Sequence, residues 1–315
     1  MINKVSIVGL GAIGCAYMNQ IVKTIPIENL SVIADGERAR RYSENEITIN
    51  GENFRFKVVR PAEKCDPVDL LIFGVKFHQL EEAIEEVINQ VGPNTIILSL
   101  LNGITSEEII GARFGMEKVL YSVNAGIDAL KVGNEAISHH LGTTYFGEKV
   151  NKPGSYSEKV LKVQEFFERT GIHYIIPEDM MNTLWWKFML NVGVNQTSAV
   201  LRVPYGIVQD INEVQELMVD AMREVVEVSQ KAGINLSQED INECLRIIKG
   251  LEPSGKTSMC QDMEAARQTE VNIFAGTVVE LGKKYGVSTP VNGMLMRIIK
   301  ASEAIFRYNA TIAKD

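Results

Sequence analysis

Residues 5–14, Val-Ser-Ile-Val-Gly-Leu-Gly-Ala-Ile-Gly, carry an apolar β-branched run directly into the spacing G-x-G-x-x-G. That feature constrains the fold more than any other. In a strand-turn-helix unit Gly9 permits the tight turn, Gly11 lets a pyrophosphate reach the backbone, and Gly14 lets the helix pack closely on its sheet. The unpaired amides and positive dipole end of that helix receive the phosphates, with Leu10, Ala12 and Ile13 completing the contact. Asp35 follows the last glycine by about 20 residues, at the end of a second apolar run, where a carboxylate accepts hydrogen bonds from an adenosine ribose. This placement points to NAD. Arg38, Arg40 and Arg41 keep NADP open, because a cation there offsets the repulsion between Asp35 and a 2′-phosphate. The bland alternative makes Asp35-Gly36 a turn and the arginines a solvated helix face.

The first half continues with short buried-strand runs at 5–8, 30–34, 70–75, 95–100 and 119–123, separated by helical spacing at 12–23, 79–89 and 106–114. A strand-and-turn segment at 136–148, a helix at 155–169 and a strand at 172–176 lead to Pro177. From 178 onward the pattern is helical, at 179–201, 212–231, 237–249, 258–285 and 292–308, broken by Pro204, Gly233, Pro253 with Gly255, and Pro290. The expected class is α/β. An N-terminal Rossmann-type doubly wound domain, residues 1–177, precedes an all-helical C-terminal domain, residues 178–315.

Composition narrows the partners. Across 315 residues, 32 basic and 40 acidic side chains give a net charge of -8, the wrong sign for wrapping nucleic acid or anionic lipid. No apolar run approaches the roughly 18 residues that a membrane span needs, and residues 1–14 lack the long apolar core and cleavage site of a secretory signal. Cys15, Cys65, Cys244 and Cys260 are scattered without metal-ligand spacing, which fits reduced thiols in a cytoplasm and no metal centre. The expected partner is a small molecule.

Ligands of open α/β sheets gather at the carboxyl ends of the strands, where Lys76 and Asn102-Gly103 stand. In the second half Lys187, Asn191 and Asn195 recur at i, i+4 and i+8, within a sector of about 80° on one helix face. Apolar residues fill almost every position between them, so the stripe is either an interhelical hydrogen-bond seam or the wall of a polar cleft. A buried lysine there is a usable proton donor to a carbonyl oxygen. The segment 258–270, from Ser258 to Glu270, is dense in hydrogen-bonding groups, a composition shared by solvated helices. His78, His139, His140 and His173 lack a triad-like setting.

Together, Gly-Leu-Gly-Ala-Ile-Gly at 9–14, Lys76 with Gln79, Asn102-Gly103, the Trp-Lys-Asn-Asn helix at 186–195, and Ser258-Met259 followed by Gln261-Asp262, Arg267 and Thr269-Glu270 resemble the ketopantoate reductase family. Its members reduce a 2-oxo acid with a nicotinamide cofactor. The resemblance implies that Lys187 is the general acid, with Glu270 beside it positioning Lys187 and substrate or cofactor. It further implies that Asn191, Asn195 and Ser258 hold the substrate, that Asn102 bridges substrate and nicotinamide, and that Lys76 is a cofactor-side lysine. A further cofactor contact aligns near Ala129. The family's two domains enclose a cleft, and its products have the D configuration.

Two departures bear on specificity. The family's usual cofactor is NADP, whereas Asp35 favours NAD. Ketopantoate-using members often carry a substrate-binding Asn in the loop after the lysine helix, where this chain has Tyr205. An aromatic ring in that place favours an apolar substituent over the pantoyl hydroxyl. The expected activity is therefore NAD-linked interconversion of a branched or aromatic 2-oxo acid and its D-2-hydroxy acid, as in the D-mandelate type, with ketopantoate reduction close behind. A 3-hydroxyacid dehydrogenase and a non-catalytic NAD sensor are the competing readings, and a homodimer is the protein assembly considered.

Overall fold

A parallel strand pair needs a crossover of a dozen or more residues, usually a helix, and the N-terminal half supplies these in series. The computed structural model describes residues 1–312. Its first part contains β1 (Val5–Val8), α1 (Ala12–Ile21), β2 (Leu30–Ile33), α2 (Gly36–Glu44), β3 (Ile47–Ile49), β4 (Glu52–Phe54), β5 (Lys57–Val59), β6 (Leu70–Phe73) and α3 (Leu80–Glu86). It continues with β7 (Ile96–Ser99), α4 (Ser106–Phe114), β8 (Val119–Ala125), β9 (Asp128–Val132), β10 (Glu135–His140), β11 (Thr143–Gly147), α5 (Glu158–Thr170) and β12 (Tyr174–Ile175). One sheet runs β12-β11-β8-β7-β6-β1-β2-β5. Its pairs are parallel except β8 with β11. Every residue of β1, β2, β6 and β7 is buried, as strands covered on both faces require.

The sequence pattern assigns no strand to 45–59 or 128–132, yet β3 and β4 join β10 and β9 in a second sheet, β4-β3-β10-β9, and β5 forms an edge of the first. Asn50-Gly51 forms the two-residue turn between β3 and β4, both residues at positive φ, 52° and 82°. This is the backbone that Asn-Gly favours, and three-residue strands are too short for their alternation to register. β9 and β10 pack on α1.

Two compact units divide at Thr183/Leu184. The expected boundary at 177/178 lies a little earlier, because the start of α6 (Met180–Leu201) is tied into the first unit: the Met180 amide donates to the Lys149 carbonyl at 3.1 Å, and the Asn151 amide donates to the Glu178 carbonyl at 2.9 Å.

The second unit is helical, with α7 (Tyr205–Asp210), α8 (Asn212–Lys231), α9 (Gln238–Lys249), α10 (Ser258–Glu264), α11 (Thr277–Tyr285) and α12 (Pro290–Ile312). α6 and α8 touch at Gly193, where a Cβ would lie 2.4 Å from the Met222 Cε. Gln196 of α6 donates to Asn292 Oδ1 (3.1 Å) and accepts from the Ala275 amide (3.1 Å), while Asn292 donates to Glu224 Oε2 (2.7 Å). The single helix expected over 258–285 is interrupted. After α10, Ala266 takes φ 52°, Arg267 Nε donates to the buried Asp262 carboxylate at 2.8 Å, and the Thr269 amide and hydroxyl both donate to Glu303 of α12. A π-helical turn, Asn272–Gly276, restores the helix before α11. None of the helices among the described residues is long and apolar enough to cross a membrane.

A polar knot lies inside the first unit at the end of β7. The Ser99 and Ser106 hydroxyls pair at 2.8 Å, Ser106 donates to the Glu107 carboxylate at 2.9 Å, and the Ser122 hydroxyl donates to the Ser99 carbonyl at 2.5 Å. Burial pushes the Glu107 carboxyl up from 4.5 to about 7. A carboxyl raised in the folded state stabilises that state only while protonated, so its contribution is full below about 4.5 and lost as pH rises through about 7. Wild-type stability minus that of Glu107→Gln should fall across this window by on the order of 1–3 kcal/mol, read by urea unfolding at pH 5 and pH 8. A difference independent of pH would mean that Glu107 is ionised throughout.

Candidate active site

The chain runs from β1 to β2 on one side and later returns to β6 on the other, so β1 and β6 flank the point where strand order reverses. The glycine turn stands there. Gly9 has φ +93°, and a Cβ on it would lie 2.5 Å from the Val75 amide nitrogen. Its carbonyl oxygen would lie 2.4 Å from a Cβ on Gly14 and 2.8 Å from one on Gly74. Gly74 is absent from the residues that the sequence pattern picks out, although its place directly after an apolar strand run was a usable signal. Gly11 differs from the other three: a Cβ there would meet only the Gly74 carbonyl oxygen, at 3.8 Å, so the space above it is open. Gly11 is also the N-cap of α1 and offers no side-chain cap to the first-turn amides. Donors without a side-chain partner beside an open backbone fit a dinucleotide pyrophosphate. Leu10 is buried, and Ala12 and Ile13 are half-buried.

Asp35 is the exposed N-cap of α2, and its carboxylate makes no capping bond. Of the three arginines weighed against it, Arg38 is held by Glu82 (2.9 Å) and Glu86 (2.6 Å), Arg40 reaches Glu44 at 3.8 Å, and Arg41 lies over the Tyr42 ring. Lys76 follows β6, with its amide donating to Gln79 Oε1 at 3.4 Å. Asn102 and Gly103 (φ +98°) occupy the loop whose ends, Ser99 and Ser106, are joined by the serine pair above Glu107.

In the helical unit, burial pushes the Lys187 ammonium down to about 8, and the ionisable neighbour acting on it is the Cys244 thiol of α9. Glu270 is not among the groups that shift it. Cys244 does not stand out in the sequence, since its place opposite Lys187 depends on how α9 packs. Asn191 and Asn195 lie on the same face of α6, both buried. The Ser198 hydroxyl pairs with Thr257 at 2.6 Å, which brings the start of α10, and so the exposed Ser258, to the Asn195 end of α6. Phe188 and Phe274 meet at 6.5 Å between ring centroids, which brings the turn following Glu270 to the Lys187 end. The Glu270 carbonyl accepts from Ile273 at 3.0 Å. Tyr205 is the first residue of α7 rather than part of a loop. Its amide donates to the Gly255 carbonyl at 2.9 Å, its ring packs against Gly255, and burial raises its phenol.

Residues 5–151 match the family described as Ketopantoate reductase PanE/ApbA, and residues 179–303 match Ketopantoate reductase PanE/ApbA C terminal. A 2-dehydropantoate 2-reductase of Aquifex aeolicus is 30% identical over 317 aligned residues, covering 96% of this chain and 98% of that protein. The chain belongs to the ketopantoate reductase family. It is an oxidoreductase of that family, using a nicotinamide cofactor. A 2-dehydropantoate 2-reductase of Pyrococcus horikoshii is 26% identical, covering 96% of this chain and 98% of that one. The fold is shared with D-mandelate dehydrogenase in a ternary structure with NADH and anilino(oxo)acetate (TM-score 0.85, 23% identity, 96% and 99% covered). It is also shared with a dimeric ketopantoate reductase of Staphylococcus aureus (TM-score 0.80, 18% identity, 96% and 99% covered).

In this ketopantoate reductase family member the turn glycines separate by role. Gly11→Ala should leave the ligand-free melting temperature within about 3 °C of wild type while raising the Kd for NADH at least about tenfold. Gly74→Ala, which drives a methyl into the Gly9 carbonyl, should lower both stability and affinity. Unchanged NADH affinity in Gly11→Ala, measured by fluorescence titration, would move the pyrophosphate elsewhere.

Proposed function

We propose that this enzyme reduces a branched or aromatic 2-oxo acid to the D-2-hydroxy acid with NADH. The observation that carries the reaction class is the half-buried Lys187 of α6, whose ammonium is pushed down to about 8 by desolvation with the Cys244 thiol as the ionisable neighbour acting on it. A bound nicotinamide supplies the hydride. As hydride reaches the carbonyl carbon, negative charge develops on its oxygen, and Lys187 Nζ stabilises that charge and delivers the proton. Asn191 and Asn195, one and two turns along the same face, are placed to hold the substrate's carboxylate, with Ser258 at the start of α10 supporting them. Asn102, on a loop braced by the serine knot, orients substrate beside the nicotinamide. Glu270 acts as the positioning carboxylate, and Lys76 and Asp35 bind the cofactor.

Two observations support this specificity. Asp35 is exposed at the ribose position while Arg38 is committed to Glu82 and Glu86, which favours NADH over NADPH. Tyr205 presents an aromatic ring, which favours an apolar substituent. Ketopantoate reduction is the second reading, supported by the full-length relatives at 30% and 26% identity. A homodimer is proposed by analogy with the dimeric neighbour.

Lys187→Ala should lower kcat by roughly 10²- to 10⁴-fold with little change in NADH affinity. Because the donor must be protonated, 2-oxo acid reduction should decline as pH rises through about 8, and the reverse oxidation should gain. Near-normal kcat in Lys187→Ala would return the lysine to a structural role. Steady-state rates with benzoylformate, 2-oxoisocaproate and ketopantoate, each with NADH and NADPH, test specificity. The expected ranking puts NADH and an apolar 2-oxo acid first, and Asp35→Ala should narrow the cofactor gap. Strong ketopantoate turnover with negligible benzoylformate reduction would select the second reading.

A further inference from the structure

Lys131 lies on β9, where strand alternation turns Ala129 and Lys131 to the half-buried side and leaves Leu130 and Val132 exposed. Its Nζ donates to the carbonyl oxygen of Leu10, inside the glycine turn, at 2.5 Å, and sits 5.2 Å from the centroid of the Tyr42 ring. The Cys15 thiol, one helical turn into α1, feels the same charge, although burial dominates and pushes that thiol up to about 11. No carboxylate pairs with Lys131 among the described residues. Arg41 lies over the same Tyr42 ring.

A half-buried ammonium has thus been set beside the positive end of α1 with a carbonyl and an aromatic ring as partners. Placing two like charges together is unfavourable unless an anion lies between them. An ammonium has three donors and one is used on Leu10, so two remain. Arg38 and Arg40, by contrast, already have carboxylate partners.

We infer that Lys131 is a cofactor-binding residue whose ammonium contacts the pyrophosphate at the glycine turn, adding a point charge to the amides of α1. This inference rests on the nicotinamide-cofactor reading of that turn. The second sheet thereby gains a role at the site, since β9 brings a cation to the turn from outside the main sheet.

The test compares wild type, Lys131→Met and Lys131→Arg by calorimetric titration with ADP-ribose, adenosine, NADH and NADPH, alongside ligand-free melting curves. Lys131→Met should weaken ADP-ribose and NADH about tenfold or more, the scale of a lost charge-assisted hydrogen bond. Adenosine binding and ligand-free stability should stay close to wild type, Lys131→Arg should recover most of the affinity, and the salt dependence of ADP-ribose binding should flatten in Lys131→Met. ADP-ribose affinity within about twofold of wild type would overturn the inference, as would an equal loss for adenosine, which would make Lys131 a structural tether of the turn. A loss confined to NADPH would also overturn it, by placing the ammonium at the 2′-phosphate. Failure of the wild type to bind ADP-ribose would overturn the cofactor reading and this inference together, whereas binding indifferent to Lys131 overturns this inference alone.

Discussion

The Gly9 carbonyl oxygen is the point on which the nucleotide-binding half turns. Ideal Cβ atoms on Gly14 and Gly74 would lie 2.4 and 2.8 Å from it, so the backbones of β1, α1 and β6 meet at distances that no side chain permits. That contact sets α1 with its amino end at the switch point of the sheet and leaves Gly11 as its N-cap, without a side chain to occupy the first-turn amides. That backbone geometry is one that fits an anion. The surrounding side chains then decide which anion enters and how tightly it is held.

The helical half presents a different constraint. α6 is buried along most of its length, and each polar group on it must be satisfied or carry a cost. Gln196 is satisfied by Asn292 and the Ala275 amide, and Ser198 by Thr257. Thr197 Oγ1 is buried without a partner among the described residues, and at Lys187 desolvation lowers the ammonium to about 8. A buried cation without a counter-ion gains nothing for folding. The proton-donor role proposed for Lys187 rests on that setting.

What was legible in the sequence follows from the range of the interactions concerned. The glycine turn, Asp35 and the Lys187-Asn191-Asn195 stripe are local patterns, and spacing alone locates them. The Asn50-Gly51 hairpin was also local, but its strands are three residues each and the alternation is too brief to stand out. The interruption after α10 was invisible for another reason. Asp262 with Arg267 is a short-range pair, yet Thr269 is held by Glu303, 34 residues away, and helical spacing on either side masks the break. Gly74 carried a local signal in its place after an apolar run, whereas Glu107, Cys244 and Lys131 acquire meaning only from what the fold sets opposite them.

Charge pairing across the fold also bears on how Asp35 and its arginines divide the cofactors. Arg38 sits three residues from Asp35, and its charge would suit a 2′-phosphate if it were available. It bridges Glu82 and Glu86, and Glu86 is the more demanding partner: burial raises its carboxyl, and Arg38 is the largest influence opposing that rise. Turning Arg38 toward a phosphate would strip the counter-ion from a carboxylate that burial already disfavours, besides leaving Asp35 to repel the same phosphate. The exposed Asp35 acts through a well-screened medium, so its repulsion alone discriminates weakly. On the proposed NADH reading, the pairing of Arg38 with Glu86 carries more weight than the exposed Asp35, because Arg38 is the largest influence opposing the rise that burial imposes on that carboxyl.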